Sequence, residues 1–178
     1  MNTDLLPKES YSDPLTLERE KQRIFYRTWQ LAAHVSQLQE PGDYVCLEVA
    51  DQSVFVIRGK DGQLRAFYNV CQHRGNRIFT SESGSVQQVA CPYHGWRYAL
   101  DGRLVEVPDA ERFCPALDKG QRSLKSVQLA LWAGTVWVNM DPGAKPLKDY
   151  LGTIIDNLAP YHFENMLLAK HQTVSLDA

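Results

Sequence analysis

Two short loops rich in metal-binding side chains constrain the fold of this chain more than any other feature. They are Cys71-Gln-His73-Arg-Gly75 and Cys91-Pro-Tyr-His94-Gly95-Trp96, with seventeen residues between His73 and Cys91. One thiol and one imidazole rarely complete a metal site, so each loop needs the other. Residues 63–69 and 86–90, just upstream of the loops, read as strands. Each loop therefore leaves a strand end, and the chain must fold so that the two face each other as jaws. Gly75 and Gly95 let the backbone pass close to whatever the jaws hold.

The rest of the sequence supplies a scaffold of the right kind. Segments 43–49 and 53–58 are rich in β-branched and aromatic residues, and Gly59-Lys-Asp-Gly62 turns the chain into 63–69. Segments 96–100, 124–131 and 135–140 continue the pattern, with turns at Asp101-Gly102 and Ala133-Gly134. Many short strands with glycine turns predict a mostly β fold, a small antiparallel sandwich or barrel. Helical periodicity is confined to the ends. Asp13-Pro14 offers a cap and first-turn proline for a helix running to about Thr28, with Leu17, Ile24, Phe25 and Thr28 on one face. Leu147, Tyr150, Leu151, Ile154, Ile155 and Leu158 form a second helical stripe, which Pro160 stops. Both stripes are expected to be packing faces, and 167–176 reads as a further strand. The organisation expected is a helical extension over 1–40, a sheet-rich domain over 41–141 with its loops at 71–77 and 91–98, and a helix and strand over 142–178.

Composition narrows the function. An apolar share of 44% allows a sizeable core, and a net charge of −2 gives no case for nucleic acid or an anionic membrane. No apolar run approaches the roughly 20 residues needed to span a bilayer, and the first residues lack the basic and apolar regions of a signal peptide. A cytoplasmic protein is expected. The four cysteines are too few for a disulfide scaffold, so those grouped with histidine read as metal ligands. Cys46 and Cys114 have no such grouping and read as packing residues.

Two Cys and two His can bind a tetrahedral zinc. The donors here alternate, Cys-His-Cys-His, whereas zinc fingers usually pair like with like. A two-iron cluster explains the alternation better, each loop giving its Cys to one iron and its His to the other. The chain resembles the N-terminal Rieske domain of ring-hydroxylating oxygenase α subunits. The resemblance is carried by NVCQHRG at 69–75, CPYHGWRYALDGRL at 91–104, RTWQLAAHV at 27–35 and PGDY at 41–44. It implies a Rieske-type fold holding a [2Fe–2S] cluster, with Cys71 and Cys91 on one ferric ion and His73 and His94 on the other. Rieske proteins of respiratory and photosynthetic complexes carry an extra, disulfide-bonded Cys in each loop. The matching positions here are Asn76 and Tyr93. Those proteins also place a hydrogen-bonding Ser where this chain has Trp96. Loss of that donor predicts a potential near the low end of the Rieske range, roughly −150 mV, with Tyr98 at the position of a second donor.

The resemblance also implies what lies around the cluster. Tyr93, Trp96 and Tyr98 are expected to shield it. Arg74, Arg77, Arg97 and Arg103 concentrate positive charge that could steer an acidic ferredoxin or a flavin reductase. In the family, an NAD(P)H-linked reductase feeds the Rieske centre, which passes electrons to a mononuclear Fe(II) held by two His and one carboxylate in a neighbouring subunit of a trimer. His34, His162 and His171 do not supply that set and read as surface or packing residues. The chain is thus expected to be the electron-transfer half of an oxidoreductase, a dioxygenase or monooxygenase acting on an aromatic ring or a similar unactivated carbon. Its catalytic domain is expected beyond residue 178, so these residues alone carry no oxygenation site. The alternatives are a free-standing Rieske ferredoxin and a parent enzyme that demethylates quaternary ammonium compounds.

Overall fold

In the computed structural model, residues 6–112, 117–170, 172 and 174 are described. The expectations placed on Cys114 and His171 lie outside them.

Strands β1 (Gln30–His34), β2 (Asp43–Val49), β3 (Gln52–Arg58), β4 (Leu64–Tyr68), β5 (Ser83–Ser85), β9 (Ser126–Trp132) and β10 (Thr135–Asn139) form one antiparallel sheet in the order β1-β10-β9-β4-β3-β2-β5. A second sheet takes β6 (Val89–Ala90), β7 (Arg97–Tyr98) and β8 (Leu104–Glu106) in sequence order. The mostly β expectation holds. The large sheet curls, bringing β1 against β2.

Strand β3 explains why the two sheets stay together. Its run Val54-Phe-Val-Ile57 is buried on both faces, unlike the alternating pattern of a half-exposed strand. Val54 and Val56 point into the curled sheet beside Leu38, Val45, Ala66, Val127, Val136 and Val138. Phe55 and Ile57 point the other way, into a core shared with Tyr44, Phe67, Phe79, Trp96, Tyr98 and both Cys71 and Cys91. One strand thus serves as the wall between a barrel-like core and the core under the metal-binding loops. The PGDY turn secures the edge of β2. Gly42 has φ +98, and a Cβ there would stand 2.0 Å from the Val86 carbonyl oxygen, so no side chain fits.

The ends differ from expectation in five ways. Helix α1 (Pro14–Glu20) is capped by Asp13, which accepts from the Leu15 and Thr16 amides, but it gives way to a π turn over Lys21–Phe25 and stops before Thr28. Its Leu17, with Ile24, is exposed rather than packed. Residues 30–34, expected within a helical extension, form β1 of the main sheet. The stripe at 147–158 is two helices, α2 (Leu147–Leu151) and α3 (Ile154–Leu158), because Gly152 at φ +52 breaks the run. Leu147 and Leu151 bury against Trp29, with Trp132, Trp137 and Ile155 around them, while Tyr150 and Ile154 face outward. Finally, residues 167–170 form no strand, and most of 171–176 lies outside the described residues.

Candidate metal centre

The two loops are local copies of one design. In the first, the Cys71 amide donates to the Asn76 carbonyl at 2.8 Å and the Gly75 amide returns to the Cys71 carbonyl at 3.0 Å. In the second, Cys91 donates to Trp96 at 2.8 Å and Gly95 returns to Cys91 at 3.1 Å. An antiparallel rung stands at the foot of each loop, Val70 with Arg77 and Ala90 with Arg97. Gly75 and Gly95 take φ +76 and +70, the left-handed conformation that closes each six-residue loop.

This shared geometry sorts the four predicted donors by depth. Cys71 and Cys91 are buried, with 1% and 3% of their surface exposed. The two thiols are neighbours in the same core. His73 and His94 lie further out, their ring centroids 4.8 Å apart in an edge-to-face pair. The Trp96 indole stacks on His73 at 4.7 Å and 8°, and the exposed Tyr93 ring lies 3.8 Å from that of His94. The four side chains form an inner sulfur pair and an outer imidazole pair. Among the described residues, no three His, Cys, Asp or Glu side chains group about a single metal position. Two protein donors for each of two irons suits this pairing, whereas a tetrahedral zinc needs all four donors around one point.

Electrostatics separates the two pairs further. Burial pushes the Cys71 thiol above its ordinary value, and the neighbouring Cys91 thiol adds to the shift. Burial also pulls His73 below the usual imidazole range, helped by the positive surroundings of His94, Arg74 and Arg122. A neutral imidazole is the form that binds a metal. Tyr98 is fully buried and connects the loops. Its hydroxyl accepts from the Gln72 amide at 3.0 Å, which leaves its own proton to donate to Cys71 Sγ at 3.2 Å. Burial holds the Tyr98 phenol far above its ordinary value, so the donor stays protonated.

The arginines behave differently from the sequence expectation. Arg77 pairs with Glu48, Arg97 with Glu106 at 3.1 Å, and Arg103 with Asp101 at 2.8 Å. Those pairs neutralise most of the expected steering charge. Arg74 keeps no acidic partner among the described residues. Arg122, which the sequence did not single out, joins it by donating to the Gln72 carbonyl at 3.3 Å. No local signal marks Arg122, because its contact spans fifty residues of chain. The remaining candidates are structural. Cys46 packs half-buried against the core under the loops, and burial raises its thiol to about 12, which leaves it inert. His34 bridges Ser36 Oγ at 2.9 Å and the Phe163 carbonyl at 3.1 Å, and His162 meets Glu164 at the surface.

Two sheet-borne loops that offer buried thiols beneath paired imidazoles define an iron–sulfur-binding β module. Residues 28–128 match the Rieske [2Fe-2S] domain model, and the chain belongs to that family. It is similar to the carnitine monooxygenase oxygenase subunit of Escherichia coli K12, at 38% identity over 82% of this chain and 39% of the relative. It also resembles the chlorobenzene dioxygenase α subunit of Cupriavidus sp. PS12, at 39% identity over 88% of this chain and 34% of that one. Among solved structures, a quaternary ammonium Rieske monooxygenase superposes with TM-score 0.81 at 37% identity, covering 88% of this chain and 43% of that one. Naphthalene 1,2-dioxygenase does so with TM-score 0.80 at 36% identity, covering 84% and 34%. The chain spans about two fifths of the length of the curated relatives it matches. No helix among the described residues is long and apolar enough to cross a membrane.

Proposed function

We propose that Cys71 and Cys91 hold one iron of a [2Fe–2S] cluster, that His73 and His94 hold the other, and that the chain is the electron-transfer module of a Rieske oxygenase α subunit. The observation that carries this reading is the pairing of the donors by depth across two matching loops. When bound, such a cluster supplies a one-electron couple. The protein's part is to set its surroundings. The apolar core shields the thiols from water, Tyr98 donates a hydrogen bond to Cys71 Sγ, and Trp96 fixes the plane of His73 by stacking. The imidazole pair lies on the outer side of the thiols, where a redox partner can approach.

The partners follow from the same reading. A reductase or an acidic ferredoxin delivers electrons, and a catalytic domain with a mononuclear iron, in a neighbouring subunit, receives them. The parent activity we propose is oxygenation of an aromatic ring or similar unactivated carbon. The relatives named for carnitine and glycine betaine favour a second reading for the parent, oxidation of a quaternary ammonium compound. Residues 41–141 form the proposed cluster-binding unit, completed by β1. Iron, acid-labile sulfide and electron paramagnetic resonance (EPR) measurements test the assignment. Two irons, two sulfides and a Rieske signal on reduction are expected, all lost in Cys71→Ser and His94→Ala. A variant that kept the full signal would overturn the ligand set.

A further inference from the structure

The two loops are alike except in how they are anchored, and the difference falls on Asn69. Behind the second loop stand two backbone rungs, Ala90 with Arg97 and then Val89 with Tyr98. Behind the first stands a single rung, Val70 with Arg77. The position of the missing second rung is occupied by the Asn69 carboxamide. Its Oδ1 accepts from the Phe79 amide at 2.9 Å and its Nδ2 donates to the Phe79 carbonyl at 2.8 Å. A side chain here makes the paired bonds that a neighbouring strand makes elsewhere, and this pairing fixes which amide atom is oxygen. Nδ2 also reaches Ser53 Oγ at 3.1 Å, which ties the pair to β3. Asn69 has none of its surface exposed. Phe79 is itself held, its ring stacked on Tyr44 at 3.9 Å and edge-on to Phe55 at 4.9 Å. The Phe79 carbonyl also accepts from Arg77 Nε at 3.0 Å, but only the Asn69 carboxamide bonds both its amide and its carbonyl, closing the base of the loop bearing Cys71 and His73 onto the core.

We propose that Asn69 is a positioning residue, whose side chain replaces a β rung and holds the first loop, with Cys71 and His73, in register against the second. The inference rests on the ligand assignment above only for its effect on a cluster, since the loop anchoring can be read without one. Asn69→Asp tests it. At a pH that keeps the new carboxylate ionised, the substitution keeps the acceptor for the Phe79 amide but sets an oxygen against the Phe79 carbonyl, which retains only its bond from Arg77 Nε, so the rung loses its donor. Hydrogen exchange, run on the loaded and on the cluster-free 178-residue chain, gives the first measurement, because Cys71 and Cys91 amides make equivalent bonds in the two loops. Exchange at Cys71 is expected to quicken about tenfold, as for loss of one buried hydrogen bond, with Cys91 unchanged. Equal quickening in both loops would mean general destabilisation and would overturn the proposal. EPR and redox titration of the loaded chain give the second. A shifted or broadened signal with a changed midpoint is expected, whereas a folded Asn69→Asp chain with the parent's signal and midpoint would reduce Asn69 to a purely structural residue. Should Asn69→Asp fail to fold, Ser53→Ala decides by the same readings, a smaller change confined to the first loop supporting the role and none at all rejecting it. Iron and sulfide content of the unsubstituted chain is measured separately, so a failed cluster assignment is distinguishable from a failed role for Asn69.

Discussion

At the scale of single residues, the electronic environment of the centre depends on few groups. Tyr98 is one whose contribution can be sized. A hydrogen bond to sulfur favours the more negative, reduced state. If the preference is worth about 1 kcal/mol, the midpoint moves by about 40 mV, since about 59 mV is tenfold for one electron. Tyr98→Phe is therefore expected to lower the midpoint by about that much, measured by redox titration, and an unchanged value would mean that Tyr98 only packs. Arg122→Gln removes a cation next to His73 and is expected to lower the midpoint by less, because its side chain is exposed and screened. That Cys71, His73, Cys91, His94 and Tyr98 come together was legible from their spacing and family pattern. Arg122 was not, because sequence spacing carries no trace of a contact made across the fold. The arginine cluster was over-read for the complementary reason: Glu48, Glu106 and Asp101 neutralise it from other strands and turns.

At the scale of elements, propensity located segments well and their ends poorly. The cap at Asp13 was legible because Asp-Pro chemistry is local. The end of the helix was not, because it depends on a tether to the β2–β3 turn. Lys21 donates to Asp51 at 3.0 Å and Tyr26 donates to the same carboxylate. The hydrogen bond from Tyr26, with others from Gln52 and Lys21, holds the Asp51 carboxyl far below the usual carboxylate range. A depressed folded value means that the tether's stability is fully present above the unfolded value, about 3.9, and is lost as pH falls below it toward the folded value. Acidification through that window is expected to release the segment around Lys21–Phe25, seen as faster proteolysis there, and Asp51→Asn is expected to release it at neutral pH. The second stripe shows a different limit of periodicity. Leu147, Leu151 and Ile155 keep helical spacing across the break because all three pack on the same tryptophans, so the pattern does not report Gly152. Leu151→Ala is expected to cost about 2–5 kcal/mol of stability, read in thermal unfolding, with the EPR signal unchanged because this cluster of side chains is separate from the core under the loops.

At the scale of the whole molecule, the two sides of β3 make different demands. The valine-lined core inside the curled sheet is closed by backbone ladders and contains no residue of the two loops. The other core counts Cys71 and Cys91 among its members, and its upper wall is the two loops themselves. Sequence pattern predicted one barrel or sandwich, since a doubly buried strand looks like any short apolar run and does not reveal two cores. The division has a thermodynamic consequence. Anything that binds the folded loops and not the unfolded chain stabilises the fold, and the gain is concentrated where binding organises the backbone. Removal of iron and sulfide is therefore expected to lower the thermal midpoint and to unfold the molecule unevenly. Amides of the two loops, Cys71, Gly75, Cys91 and Gly95, are expected to lose protection first. Val136 and Val138 in β10 are expected to stay protected, because their ladder to β9 and β1 does not involve the loops. Hydrogen exchange on matched loaded and cluster-free chains measures the contrast. Uniform loss of protection through β10 would show instead that β3 couples the two cores into one cooperative unit.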